Sequence, residues 1–207
     1  MNIELHQGDL PAGLDLGATV AVDTETMGLN PWRDRLCLVQ LSAGDGNCHL
    51  VRIPPAAAGQ RTSAPNLAAL LGNPRVTKLF HFARFDIAAL KHALGVTTEP
   101  VYCTKTASRL VRTFTDRHGL KDLCKELLGI ELKKEQQSSD WGAPELTPEQ
   151  LRYAAADVLH LHALKTRLDE MLAREGRTAL AEACFRFLPS RAELDLAGWP
   201  DIDIFAH

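Results

Sequence analysis

The chain has no long apolar run, no paired-cysteine motif and no excess of basic residues. No stretch approaches the roughly 18 apolar residues that span a bilayer, and the N-terminus lacks the basic and apolar regions of a signal peptide. The five cysteines are scattered and lack a Cys-x-x-Cys spacing, so they indicate neither a disulfide framework nor a zinc site. We therefore expect a cytoplasmic protein without membrane contact.

The charge balance argues against a protein that grips long nucleic acid. The 23 Lys and Arg residues are outnumbered by 26 Asp and Glu residues, which leaves a net charge of −3. A domain that holds long nucleic acid through its phosphates is usually strongly basic. Two bound divalent ions would instead concentrate four positive charges at one phosphate, which is enough for a short substrate.

Length and hydrophobic pattern indicate one α/β domain. A chain of 207 residues with 45% hydrophobic residues can bury one core but not two of ordinary size. Apolar runs around residues 20–26, 36–41, 48–53, 76–82 and 101–104 predict five strands, and a Gly- and Asn-containing turn at 43–47 predicts a hairpin. Helical patterns follow from residue 105, including a long helix from Thr147 to about Gly176.

Two acidic side chains, Asp23 and Glu25, stand at the end of the first apolar strand. Because a strand alternates its side chains, both carboxylates project from one face while Thr24 points away. Two anions held this close need a cation, and hard oxygen ligands suit Mg²⁺ or Mn²⁺. The alternative for such a pair alone is two solvated acids at a strand end.

Two further acids occupy comparable positions. Asp86 falls in the first turn of the helix that follows the 76–82 strand, where it could also simply favour the helix dipole. Tyr153 and Asp157 lie four apart and therefore share one face of the late helix. Thr147, followed by Pro148 and Gln150, predicts a capping box at the start of that helix.

In order and spacing, these pieces resemble the three motifs of the DEDDy 3′→5′ exonuclease superfamily. Residues 118–123 and the Ser-Asp-Trp loop within 136–141 also resemble the ribonuclease D branch, so that this similarity covers about residues 15–175. Residues 6–10, 113–120 and 195–207 look like the NrnC-type nanoRNases. The resemblance then extends over nearly the whole chain, with a helical extension and tail at 177–207.

The resemblance implies a ribonuclease H-like (DnaQ-like exonuclease) fold, with a mixed five-stranded sheet flanked by helices. It implies metal-dependent 3′→5′ hydrolysis of very short RNA, including dinucleotides, to 5′-mononucleotides. It also implies two divalent ions, Mg²⁺ or Mn²⁺, and a homo-oligomeric ring, an octamer in that family. Two alternatives remain: a ribonuclease D-like enzyme that trims longer RNA or DNA 3′ ends, and an inactive nucleic-acid-binding module.

The catalytic set is expected to be Asp23, Glu25, Asp86, Tyr153 and Asp157. Asp23, Glu25 and Asp157 would hold one ion, and Asp23 would reach the second ion together with Asp86. Tyr153 has an ordinary pKa near 10, which makes it a poor base at neutral pH. We therefore expect its hydroxyl to orient the attacking water, unless the ring only packs against its own helix.

Substrate contacts are expected from several loops. Gly28 would let the backbone approach the nucleotide, and Leu29 would wedge against the bases or else join the core. Trp141 would stack on a base or anchor its loop. Thr24, His81 and Ser138 are further candidates. A 5′-phosphate pocket, or else a solvated helix face, is predicted from the basic residues Arg112, Arg117, His118 and Lys121, with Lys133 and Lys134 nearby.

The C-terminal tail carries four large apolar side chains in an acidic context, which are Trp199, Ile202, Ile204 and Phe205. Exposed apolar residues of this kind usually indicate an interface. The alternative is a tail that folds back on its own domain.

Overall fold

A computed structural model of the chain describes residues 2–57, 59–132 and 138–207. Its strands form one mixed sheet in the order β1-β4-β3-β2-β5-β6. Strands β2, β3 and β4 are antiparallel neighbours, whereas β1 pairs in parallel with β4, and β5 and β6 extend the sheet in parallel from β2. The strand bounds are β1 Ile3–Gln7, β2 Thr19–Thr26, β3 Leu36–Ser42, β4 Cys48–Arg52, β5 Thr77–Phe80 and β6 Val101–Cys103.

Helices cover both faces of this sheet. Helix α5 packs against β2, β3 and β4, while α2 contacts the sheet and packs extensively against α7. Helix α4 continues directly as a π-helical turn over Cys124–Leu128. The helix bounds are α1 Pro65–Leu71, α2 Ala83–Leu94, α3 Thr104–Val111, α4 Leu120–Leu123, α5 Pro148–Leu159, α6 Leu161–Arg174 and α7 Thr178–Leu196.

The centre of the sheet is its most buried part. Every residue of β3 is buried, and the apolar residues of β2 and β4 join it in one contiguous core cluster. The register pairs Asp23 with Gln40 and Glu25 with Leu38, and strand alternation places these four side chains on the face that α5 covers. The end of β2 therefore delivers its two acids beneath α5.

The sheet has six strands rather than the predicted five. The additional strand is β1, whose sequence Ile-Glu-Leu-His-Gln is short, mostly polar and poorly buried. Such a strand carries almost no hydrophobic signal because it pairs through its backbone on one side only, at the sheet edge. Strand β5 is shorter than predicted, because the chain turns at Phe82, which adopts a left-handed φ of 69°.

The predicted helix from Thr147 to about Gly176 is two helices. Helix α5 ends at His160, where the backbone leaves helical geometry at φ −104° and ψ −3°, and α6 begins with the next residue. The apolar periodicity continues across the break because both helices bury one face in the same core. The capping box is confirmed, since Thr147 Oγ1 accepts a hydrogen bond from the Gln150 backbone N–H at 3.2 Å and Gln150 Oε1 accepts one from the Thr147 N–H at 2.9 Å.

The C-terminal segment folds back over α2 and α7 but leaves its apolar residues exposed. Arg84 forms a bidentate ion pair with Asp195 on α7, and it also donates to the Pro200 carbonyl. The ring of Phe205 lies 5.9 Å from that of Phe187, centroid to centroid. The four tail residues predicted to be apolar anchors remain 44–75% exposed. The tail therefore folds back in part, and its role as an interface stays a prediction.

Two absences hold within the residues that the structure describes. None of the helices there is long and apolar enough to cross a membrane. All five cysteines are free thiols, and four of them are buried.

Helix α5 should depend measurably on its cap, because it carries two of the expected site residues. Replacing Thr147 by Ala removes a side-chain acceptor at the N-cap, so we expect the free energy of unfolding to fall by about 1 kcal/mol. Urea denaturation measures this, with Ser190→Ala on the exposed surface of α7 as control. Equal stability of the Thr147→Ala variant and wild type would contradict the capping role.

Candidate active site

Three carboxylates converge at the end of β2. One oxygen from each of Asp23, Glu25 and Asp157 lies within 4.8 Å of the others. Strand alternation presents the first two acids on one face, and Asp157 descends onto them from α5, which packs on that face. The sequence-predicted trio is thus brought together.

The fourth acid, Asp86, is held at the edge of this cluster by Thr24. Asp86 lies in the first turn of α2 and is only 3% exposed. Its carboxylate accepts a hydrogen bond of 2.6 Å from the Thr24 hydroxyl. Thr24 is itself buried, so the structure gives it the role of fixing an acid rather than that of a surface contact with substrate.

Burial and mutual repulsion raise the pKa values of three acids of this cluster, Asp23, Glu25 and Asp86. Burial, with further contributions from Asp86, Asp157 and Glu25, holds the pKa of Asp23 well above its usual range. Burial raises the pKa of Glu25 to about 9, and the neighbouring Asp157 and Asp86 add to the effect. Burial raises the pKa of Asp86 to about 7, although the hydrogen bond from Thr24 opposes the shift. Without a cation, the cluster therefore holds protons near neutrality.

Gln40 is a site residue that the sequence reasoning missed. It is fully buried on β3, and its side-chain amide donates to an Asp23 carboxylate oxygen at 3.3 Å. Its own Oε1 is one of the buried polar atoms without a hydrogen-bond partner in the described part of the chain. A polar residue within the apolar run Leu-Cys-Leu-Val-Gln-Leu was the available signal, because strand pairing places it beside Asp23.

Tyr153 faces the cluster from α5. Burial raises the pKa of its hydroxyl above the usual value of 10, with the nearby Asp157, Glu25 and Asp23 adding to the shift. The phenol therefore remains protonated and acts as a hydrogen-bond donor, with Asp157 among its partners.

Trp141 packs against Tyr153, and its position corrects the prediction that it stacks on a base. Its indole is only 3% exposed, and its ring centroid lies 6.1 Å from that of Tyr153. A side chain so buried has no free face for a base. Trp141 instead anchors its loop against α5, which was the other reading of this residue.

His81 lies just beyond β5 and is oriented by Thr104. The Thr104 hydroxyl donates to the Phe80 carbonyl at 3.2 Å, so it accepts from His81 Nδ1 across their 2.8 Å contact. Burial, together with the nearby Lys105, lowers the pKa of His81 to about 3, which keeps the ring neutral. His81 is not one of the ligand-type residues that converge with Asp23. From sequence, it is likewise a candidate only for substrate contact.

Gly28 and Leu29 continue the chain past the cluster, with different roles. A side chain at Gly28 would collide with the carboxylate of Asp34, only 2.4 Å from an ideal Cβ, so this glycine makes room within its own loop. The nucleotide approach expected of Gly28 stays a prediction. Leu29 is 84% exposed, which rules out the core alternative in this structure.

An apolar cleft of about 570 Å³ opens beside α2. Leu29, Trp32 and Phe82 contribute exposed apolar side chains to it, and Gly198 and Pro200 of the C-terminal segment close its far wall. Lys105 stands 4.0 Å over the ring of Phe82. Phe85, the neighbour of Asp86 in sequence, also lines the cleft.

The predicted phosphate-binding residues are divided between the interior and the surface. Arg112 is 1% exposed, and its guanidinium is occupied by Glu126, the Arg117 carbonyl and Ser108. His118 is also buried and shares Ser108 through a 2.8 Å contact. Their contacts with Ser108 and Glu126 hold the 112–126 segment together. Arg112 is corrected as a phosphate ligand because its guanidinium is buried and engaged inside the protein, whereas the phosphate role of His118 stays a prediction.

The exposed members of the basic set are Arg117, which pairs with Glu126, and Lys121 on α4. The α4 segment approaches the cluster, because Asp157 contributes to the raised pKa of Cys124, after burial. Lys121 precedes Cys124 by one helical turn. Ser138 is exposed in a turn, and Lys133 and Lys134, with the glutamines at 136 and 137, lie outside the described residues.

The donor set fits a hard divalent cation. All of the converging atoms are carboxylate oxygens, which Mg²⁺ and Mn²⁺ prefer, and the raised pKa values of Asp23 and Glu25 follow from burial and from the neighbouring acids. Asp23, Glu25 and Asp157 would hold one ion. Asp86, which lies close enough to Asp23 to affect its pKa, would hold a second ion together with Asp23.

Comparison with known proteins supports this geometry. A family model described as 3′-5′ exonuclease matches residues 10–173. The structure of Brucella melitensis NrnC with bound Mg²⁺ superposes with a TM-score of 0.93 and 55% sequence identity, covering 100% of both chains. The same protein bound to pGG gives a TM-score of 0.94 at 56% identity, covering 100% of this chain and 99% of that one.

Ribonuclease D of Acidiphilium cryptum is 39% identical over 158 residues, which are 76% of this chain and 39% of that protein. The chain thus spans about two fifths of the length of the curated relatives that it matches most strongly.

The raised pKa of Glu25 predicts how the metal-free protein responds to pH. Because the folded state binds this proton more tightly than the unfolded state, its stabilising effect is complete below about pH 4.5 and is lost as the pH rises towards 9. The melting temperature of wild type minus that of Glu25→Gln should therefore fall from pH 5 to pH 9 in EDTA.

Calorimetric scans across this range measure the difference, with Glu182→Gln on the exposed surface of α7 as control. Adding Mn²⁺ should reverse the sign of the difference at high pH, since only wild type has the full ligand set. A difference that does not vary with pH would contradict the repulsion within the cluster.

Proposed function

Because the chain belongs to the 3′-5′ exonuclease family and, within it, to the NrnC-like relatives of ribonuclease D, we propose that it hydrolyses very short RNA from the 3′ end. The products would be 5′-mononucleotides, and dinucleotides would be the preferred substrates. The observation that carries the proposal is the convergence of Asp23, Glu25 and Asp157, with Asp86 held beside them by Thr24.

The carboxylates require cations for this chemistry. Two divalent ions, Mg²⁺ or Mn²⁺, would stabilise the attacking and leaving oxygens of an in-line phosphodiester displacement when they are bound. The protein's part is to hold the four carboxylates in place through strand β2, the Thr24 hydroxyl and the Gln40 amide. A Mg²⁺-bound structure of a relative at 55% identity supports the choice of cation.

Tyr153 would position the water that attacks the phosphorus. Its hydroxyl stays protonated because burial and the neighbouring acids raise its pKa. It can therefore donate a hydrogen bond but cannot remove a proton near neutral pH. Trp141 and the capped start of α5 keep the phenol at a fixed distance from Asp157.

The preference for short RNA rests on the surroundings of the cluster. The apolar cleft formed by Leu29, Phe82 and Trp32 offers flat contacts to bases, and the C-terminal segment limits its length. The net charge of −3 offers no extended basic track for a longer strand. A Brucella melitensis relative with pGG bound, at 56% identity, supports the same substrate class.

The exposed Lys121 is the candidate for binding the 5′ phosphate of such a substrate. It lies one turn before Cys124, which is close enough to Asp157 for that acid to affect its thiol. Charge-assisted hydrogen bonds recognise a terminal phosphate strongly. Arg117 is a weaker candidate because Glu126 already engages its guanidinium.

Assembly into a homo-oligomeric ring would complete the restriction on substrate length. The exposed Trp199, Ile202, Ile204 and Phe205 are large apolar side chains in the tail, of the kind that interfaces between identical chains bury. This tail borders the cleft through Pro200, so a neighbouring chain seated on it would stand beside the substrate.

Removing the hydroxyl of Tyr153 separates water positioning from metal binding. In the Tyr153→Phe variant we expect turnover to fall on the order of a hundredfold, the cost of a misplaced reactant, with Mn²⁺ affinity unchanged. The matched control is Tyr102→Phe, which alters the other tyrosine of the chain, on β6 outside the site. Wild-type turnover in Tyr153→Phe would reassign this residue to packing.

A length series tests the substrate class directly. RNAs of two, three, seven and twenty nucleotides, with and without a 5′ phosphate, are digested at equal enzyme, and mononucleotides are quantified by chromatography. DNAs of the same lengths run alongside. The 5′-phosphorylated dinucleotide should be hydrolysed fastest, because it alone engages the carboxylates, the cleft and the phosphate contact together.

A matched pair of variants identifies the phosphate contact. Lys121→Gln should raise KM for the phosphorylated dinucleotide and leave the unphosphorylated one unchanged. Lys125→Gln, which removes an exposed lysine paired with Glu131 in the loop after the π-helical turn, should change neither. Equal or faster trimming of the twenty-mer, independent of the 5′ phosphate, would instead favour a ribonuclease D-like enzyme.

A further inference from the structure

A second group of ligand-type side chains lies at the edge of the sheet, far along the strand order from Asp23. It consists of Glu4 and His6 on β1 and His49 on β4. One potential ligand atom from each lies within 4.8 Å of the others, the same criterion that unites the acids of the active site. The proposed nuclease function uses none of these three residues.

The strand register explains why these side chains meet. Glu4 and His6 are two apart on β1 and therefore share one face, and β1 pairs in parallel with β4 so that Glu4 stands directly opposite His49. Asp23 pairs with Gln40 of β3, whereas His49 pairs with Leu41, the next residue of the same strand. Because successive side chains of a strand point to opposite faces, these three residues lie on the face opposite to Asp23. The two clusters are thus separated by the sheet itself.

The distances match those around a small cation. His6 Nε2 and His49 Nδ1 are 3.0 Å apart, and His49 Nδ1 is 3.6 Å from a Glu4 oxygen. Tetrahedral zinc with Zn–N bonds of about 2.0–2.1 Å separates neighbouring nitrogens by about 3.3–3.4 Å. A change of a few tenths of an ångström would therefore seat an ion between the rings. The imidazole rings are already nearly parallel, at an interplanar angle of 16°.

We propose that Glu4, His6 and His49 form a structural or regulatory binding site for a borderline divalent transition metal ion, with Zn²⁺ the best match. Two imidazoles and one carboxylate are the ligands that zinc accepts, and they differ from the all-oxygen set that suits Mg²⁺ at the active site. Solvent would complete the coordination, because the Glu4 side chain is half exposed.

The competing account is a simple hydrogen bond between two neutral histidines. Zinc and this hydrogen bond need the same lone pairs, so they are mutually exclusive. Glu4 distinguishes the two accounts, because a neutral histidine pair gains little from a carboxylate whereas a cation gains much.

Occupancy would fasten the edge strand β1 to the sheet. Within the described residues, β1 pairs only with β4 and is the least buried of the strands that carry the site. A metal that bridges Glu4 and His6 to His49 adds a crosslink between β1 and β4. Binding to the folded state alone stabilises it in proportion to ligand concentration.

The test uses the full chain in the Asp23→Asn background, which removes a ligand from the acidic cluster so that added Zn²⁺ reports on the edge site. Isothermal titration with ZnCl₂ should give one tight equivalent per chain and a raised melting temperature. His49→Gln should weaken binding by at least about tenfold, since even outer-shell partners of zinc ligands are worth that much. Glu4→Gln should weaken it as well.

Controls keep the proposal falsifiable if one variant fails to fold. His92→Gln, on α2 against Trp32, should leave zinc affinity unchanged. Circular dichroism of each variant without metal establishes folding, and zinc K-edge absorption of the Asp23→Asn protein should show imidazole nitrogens at about 2.0–2.1 Å. Zinc binding that is unaffected by both His49→Gln and Glu4→Gln, or an absorption spectrum without imidazole, would overturn the site.

Discussion

Mutual repulsion among four closely placed carboxylates is the interaction on which the architecture of this protein depends. Burial raises the pKa values of Asp23, Glu25 and Asp86, so each charge there is tolerated only when a proton or a cation accompanies it. Such an arrangement lowers the stability of the metal-free protein near neutral pH. Its persistence makes sense as a preorganised metal site, since ligands that are already in position need no rearrangement when cations bind.

The rest of the fold supplies the rigidity that this repulsion requires. Strand β2 lies next to β3, which is buried along its entire length, and α5 is fixed at its start by a complete capping box. Two polar side chains each hold one acid. Thr24 on β2 donates to Asp86, and Gln40 on β3 donates to Asp23. The helical extension also contributes. Arg84 lies on α2, two residues before Asp86, and it forms an ion pair with Asp195 on α7. The extension thereby forms one wall of the apolar cleft.

The carboxylates and Tyr153 could be predicted from sequence because their order and spacing resemble the three motifs of the DEDDy exonucleases. Strand and helix periodicities explain only why Asp23 and Glu25, or Tyr153 and Asp157, share a face. The capping box and the α/β order followed from equally local patterns. Strand β1 escaped prediction because an edge strand carries little hydrophobic signal, and the break at His160 escaped because the apolar periodicity continues through it. Arg112 and Trp141 were assigned to the substrate because composition does not reveal burial, which depends on tertiary packing. Gln40 was missed because its role exists only through pairing with β2.

The most direct test of the central claim is the number of protons released when Mn²⁺ or Mg²⁺ binds. Calorimetric titrations of metal-free protein at neutral pH, repeated in buffers of different ionisation enthalpy, give this number. Because burial raises the pKa of Glu25 to about 9, binding should release about one proton or more per chain, and Glu25→Gln should lower the count. Metal binding without proton release, or no binding at millimolar metal, would contradict the account.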